Sequence, residues 1–218
     1  MNKSEVIFII QISGDLSGKD LSGIKLSEID IIKVNFSNAI LRDADLSKSN
    51  LSLCNFEGAD LSNCRLDSAN LTGANFKNAK LNGADLNFSF LPGANFHNAQ
   101  MKKVNLLNAK ITNCNFENAN LEGANLQMVE ASLANFKGAT MISADLKQAT
   151  FTGADFSGAN MEKVSFFKSD LSGAKFNGTN LKNAEFIRCS LIATEFINSN
   201  EGDAKFENNF TSPFKKFP

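Results

Sequence analysis

Ala74-Asn75-Phe76-Lys77-Asn78 and, ten residues on from its start, Ala84-Asp85-Leu86-Asn87 both set a small residue, an amide or acid, and a large apolar residue in succession. The order runs outward from there in both directions. Every fifth residue from Leu16 to Phe196 is Leu, Phe, Met or Ile, with Ala131 the one exception. The residue two places earlier is Ala, Cys, Ser, Thr or Val at every step from Val34 to Ala204. A period of five fits neither an α-helix nor a strand. Two inward positions in five, one large and one small, need a short extended piece followed by a corner, so the chain must coil.

The length of a coil is legible too. Residues 20 apart repeat in type: Phe36, Phe56, Phe76, Phe96, Phe116, Phe136, Phe156, Phe176 and Phe196 form an unbroken column. A second column runs Leu21, Leu41, Leu61, Leu81, Met101, the third is Leu until Phe166 and Phe186, and the fourth is mixed, from Ile31 through Ala131 to Leu191. Four five-residue faces therefore make one coil. About nine coils stacked at the strand spacing of ~4.8 Å predict a rod roughly 45 Å long. Two residues after the Phe column stand only Gly or Asn, among them Gly18, Asn38, Gly58 and Asn78. These types accept the positive φ of a type II turn. After the third column the same place holds Glu28, Lys48, Ser68, Phe88, Met128 and Lys168, which predicts a different turn at that corner.

The pattern small, Asp or Asn, Leu or Phe, polar, variable resembles the pentapeptide-repeat family over about residues 14–209. The resemblance implies an all-β fold, a right-handed quadrilateral parallel β-helix. It divides the chain into an N-terminal cap at 1–13, the solenoid at 14–209 and a capping tail at 210–218. The apolar run Val6 to Ile12 is expected to cover the first coil, and Phe210, Phe214 and Phe217 to cover the last. A dimer-forming tail is the alternative at that end.

Composition narrows the function. Lys plus Arg is 22 and Asp plus Glu is 23, a net charge of -1, so neither nucleic-acid nor membrane binding is expected. No apolar run approaches the ~20 residues that span a bilayer, and a cytoplasmic location is expected. Cys54, Cys64, Cys114 and Cys189 occupy the small inward position and read as structural thiols. His97 is the only histidine and falls at a surface position. Asn35, Asn55, Asn75, Asn95, Asn115, Asn135 and Asp155 read as a ladder of stacked side chains. No nucleophile constellation, phosphate loop or metal spacing stands out. The expectation is a protein without catalytic residues, cofactor or metal.

One feature departs from a polar surface. On the third corner successive coils carry Phe88, Leu107 and Met128, a polar gap at Lys147 and Gln148, then Phe167 and Ile187, with Phe90 close to Phe88. These follow the core residue, where side chains point outward. An apolar stripe there predicts a contact surface for a protein partner or for a homodimer. The reading is a protein–protein interaction scaffold. From the resemblance comes an alternative: some family members mimic DNA, bind DNA gyrase or topoisomerase IV and protect against quinolones. Mimicry needs a continuous acidic face. Here Glu57 faces Lys77 and Glu117 faces Lys137.

Overall fold

The computed structural model describes residues 1–211. The capping tail expected from residue 210 therefore falls, beyond Thr211, outside the described residues. The chain opens with an α-helix, α1 (Lys3–Ile12). Its start is fixed by a reciprocal cap, in which the Glu5 amide donates to Asn2 Oδ1 at 3.0 Å and the Asn2 amide donates to Glu5 Oε2 at 2.9 Å. Val6 on α1 is fully buried, and Ile9 and Ile10 pack against the core from the same side.

From Asp15 onward the chain winds into a right-handed quadrilateral β-helix. Parallel bridges join residues 20 apart, from Asp15↔Asn35 through Asn180↔Asn200. At the C-terminal end the bridges lengthen into short strands: β1 (Ser165–Phe167), β2 (Glu185–Ile187), β3 (Ser190–Leu191), β4 (Lys205–Glu207) and β5 (Phe210–Thr211). The orders are β1-β2-β4 and β3-β5, again in a register of 20. Each rung is held from both sides. The Phe76 amide donates forward to Asn95 O at 2.7 Å, and the Asn95 amide donates back to Ala74 O at 3.0 Å.

The interior is filled. In the Phe column successive rings from Phe36 to Phe196 stack with centroids 4.8 to 5.1 Å apart. That separation is the strand spacing itself, so the backbone register sets the ring stack. Ala131, the gap in the periodicity, shares its column with Phe151 one coil on. The Phe151 ring lies edge-on to Phe136 at 6.0 Å and to Phe156 at 5.4 Å. Phe166, Phe186 and Phe206 form a second stack at 4.9 and 4.7 Å.

The third corner corrects one expectation. It is left-handed like the others: Glu28, Lys48, Ser68, Phe88, Met128 and Lys168 have φ between 54° and 59°. Stacking overrides residue preference there, at ~1–2 kcal/mol for each non-glycine residue. What does change is the bond that closes the turn. At Phe88 the Ser89 amide donates to Leu86 O at 3.2 Å. At Glu28 the equivalent Ile29 amide donates at 3.1 Å to Ser49 Oγ of the next coil, which itself donates to Leu26 O at 2.9 Å. Ser169 bridges Ala149 and Leu146 in the same way, and Asn209 bridges Cys189 and Phe186.

Candidate functional site

The six apolar residues expected to form a contact ridge lie on one corner, but not as one stripe. Phe88, Phe90 and Met128 are 59%, 45% and 44% exposed, and Leu107 between them is half-buried. They span three successive coils. Phe90 occupies a bridging position, paired with Asn70 on one side and Lys110 on the other. The Lys110–Glu130 ion pair, at 3.3 Å, borders the group. Phe167 and Ile187 form a separate half-buried pair in strands β1 and β2. Lys168 Nζ stands 5.3 Å from the Phe167 ring centroid.

Phe88 and Met128 share the backbone geometry of the other corner residues. Both hold φ in the left-handed region, +54° and +59°. Stacking between coils imposes the same φ on Lys48, Lys103 and Arg188, at +57°, +56° and +56°. Sequence reasoning missed two other apolar residues in the same stereochemistry, Leu53 and Leu133, exposed at the fourth corner with φ +59° and +60°. Theirs have a neighbour: a Cβ added at Gly73 would lie 2.8 Å from Leu53 Cδ2, and one at Gly153 would lie 2.9 Å from Leu133 Cδ2. Each leucine lies over the glycine of the next coil. Phe88 and Met128 are followed one coil on by Asn108 and Gln148, not by glycine.

The remaining polar candidates are structural. The Asn ladder is continuous from Asn35, whose Nδ2 donates to Asp15 Oδ1 at 3.0 Å, to Asn135, which donates to Asn115 Oδ1 at 3.0 Å. Each of these oxygens also accepts the amide two residues on, as Asn75 does from Lys77 at 3.2 Å, so the ladder braces the corner. Hydroxyls and thiols at the small inward position do work that alanine cannot. Cys54 Sγ reaches Ile31 O at 2.9 Å, Cys114 Sγ reaches Leu91 O at 3.0 Å, and Thr179 Oγ1 reaches Phe156 O at 2.8 Å. Among the described residues no buried side-chain nitrogen or oxygen lacks a partner.

Burial pushes the Cys54 and Cys114 thiols up to about 12, and Cys64 further still. The nucleophilic thiolate is thus suppressed. The folded protein is expected to release less than one equivalent of thionitrobenzoate from Ellman's reagent at pH 8, and four after denaturation. Rapid labelling of a thiol in the folded state would contradict this burial.

Charges alternate along the rod. Lys48 lies 3.5 Å from Glu28, Arg65 3.0 Å from Asp45 and Lys102 2.7 Å from Glu122, each pair one coil apart. His97 Nδ1 lies 3.8 Å from Glu117 Oε2. Burial alone would raise the Asp60 carboxyl, but the Ser62 hydroxyl, the Arg42 guanidinium and the Ser62 amide hold it below its usual value. No group of three His, Cys, Asp or Glu among the described residues is placed to hold a metal ion. No described helix is long and apolar enough to cross a membrane.

Comparison with known proteins agrees with this geometry. Residues 109–186 match the family profile described as pentapeptide repeat region, and residues 20–58, 49–87 and 79–118 match pentapeptide repeats. No curated protein sequence matches significantly. Among solved structures the chain is similar to HetL, a pentapeptide repeat protein involved in heterocyst differentiation regulation from the cyanobacterium Nostoc sp. strain PCC 7120. Identity is 26%, the TM-score is 0.84, and 94% of each chain is covered. It shares its fold with QnrB1, a plasmid-mediated fluoroquinolone resistance protein, at 20% identity and a TM-score of 0.58, over 92% of this chain and 87% of that one. The profile matches together run from residue 20 to 186, more than half of the 218 residues, and the chain belongs to the pentapeptide-repeat family.

Proposed function

We propose that this protein is a non-catalytic interaction rod that holds a protein partner on the corner bearing Phe88, Phe90, Leu107 and Met128. The observation that carries the reading is the cluster of exposed apolar side chains on neighbouring coils, Phe88 at 59%, Phe90 at 45% and Met128 at 44%, with Leu107 between them. A partner that covers these side chains removes their apolar surface from water. Phe167 and Ile187 continue the corner beyond the polar gap as a secondary contact. The likeness to HetL, itself involved in regulation, supports a regulatory binding role.

The test replaces Phe88 and Met128 together by asparagine, which tolerates positive φ and removes only the apolar surface. Thermal unfolding is expected to stay within a few degrees of the parent, while capture of the partner from lysate of the producing cells falls at least tenfold. Unchanged capture sinks the proposal. A topoisomerase partner reached by DNA mimicry is disfavoured by the stacked opposite charges, because phosphate mimicry needs a run of one sign. A supercoiling assay decides it: the expected result is no protection of gyrase from a quinolone.

A further inference from the structure

The N-terminal end of the rod carries a second apolar surface, distinct from the corner above. Helix α1 is apolar on both sides. Val6 faces the core, while Phe8 and Ile12 are 63% and 69% exposed. Between α1 and the first coil lies a cleft of about 200 Å³ lined by Ile7, Ile10, Gln11, Ile29, Asp30 and Ile31. That volume lies below the ~300 Å³ at which small-molecule sites begin. It suits a side chain better than a metabolite. Beside it runs an open strand edge, because Asp30 pairs forward with Asn50 and no coil precedes it. Such an edge is a template for an extended segment. Among the described residues no cation pairs with the Asp30 carboxylate.

Residues 212–218 read Ser-Pro-Phe-Lys-Lys-Phe-Pro. Two phenylalanines bracket two lysines, which complement an apolar cleft edged by an unpaired acid. The segment cannot reach the cleft of its own rod. Thr211 and Ile31 stand in the same column nine coils apart. Nine strand spacings come to ~43 Å, whereas seven residues extend at most ~25 Å. The shared column has another consequence. Thr211, the last described residue, stands on the fourth face, the face that lines the cleft, so a second rod stacked along the axis would present its cleft on the face where Thr211 stands.

We propose that the N-terminal cleft receives the 212–218 segment of a second copy, with Phe214 or Phe217 as the anchor and Lys215 and Lys216 against Asp30. The contact is heterologous and does not close, so it builds linear head-to-tail chains rather than a fixed dimer.

The test is sedimentation velocity of the full chain from about 1 µM to 1 mM. The parent is expected to grow in mass with concentration. Asp30→Lys alone, and the Lys215→Asp, Lys216→Asp double variant alone, are expected to need at least tenfold more protein to assemble. An equimolar mixture of the two is expected to regain parental assembly, because each cleft again meets a segment of opposite charge. All these substitutions avoid the core, so loss of assembly does not report misfolding. A parent that stays monomeric throughout, variants that assemble like the parent, or a mixture that stays dissociated would each overturn the proposal. Assembly of both variants at parental strength would mean that the copies meet through some other surface.

Discussion

Phe116→Ala is expected to lower stability by about 3–5 kcal/mol in urea unfolding followed by circular dichroism. Its ring lies between those of Phe96 and Phe136, at 4.8 Å on each side and within 2° of parallel. Relaxation normally refunds part of the loss when a large core residue is truncated. Here the neighbouring rungs cannot close, because Asn95↔Asn115 and Asn115↔Asn135 bridges fix the spacing and the amide ladder ties the same rungs. The site therefore belongs at the upper end of the usual range. Phe116→Leu is expected to cost less than half as much, since Leu16 already serves as a rung of that column. Equal losses for the two variants would mean that the column is not the packed unit described above.

Gly138→Val is expected to cost about 2–3 kcal/mol, although glycine there buries nothing. Gly138 has φ +63°, where a β-branched side chain is strained by its own backbone. Its new Cβ would also lie 2.5 Å from Asn118 Oδ1. Asn118 can swing aside, so the backbone conformation accounts for most of the loss. Gly138→Asn separates the two effects: asparagine occupies the same corner at Asn98 and Asn118 with φ +59° and +58°, and this variant is expected to lose less than about 1 kcal/mol. If valine and asparagine are equally harmless, the corner is not held in the left-handed region.

The periodicity carried most of the fold. Coil length, column identity and the inward pair all follow from which residues recur at 5 and at 20, because a filled solenoid leaves each column one environment. Corner chemistry was less legible. Glu28 and Met128 are poor residues for positive φ, and composition argued for another turn; pairing with the neighbouring coil dictates φ regardless of side chain. The role of Cys54, Cys114 and Thr179 was half read. Their inward position follows from the repeat, but their acceptors lie 23 residues away and exist only once coils are stacked. The start of α1 had a local signal in Asn2 and Glu5, the two ends of a capping box.

The candidate surface was legible as a list and not as a shape. Phe88, Phe90, Leu107, Met128, Phe167 and Ile187 all follow or adjoin core positions, yet only Phe88, Phe90 and Met128 are exposed, and Leu107, Phe167 and Ile187 are half-buried. Leu53 and Leu133 were missed as well: both are more than half exposed at the fourth corner, each over the glycine of the next coil.

The most direct test of the interaction reading is site-specific photocrosslinking in the producing cells, with the photoreactive residue placed in turn at positions 88, 128, 57 and 137. The account predicts one shared protein adduct at 88 and 128 and none at 57 or 137 on the first face. Adducts absent from 88 and 128, or identical at all four positions, would contradict it.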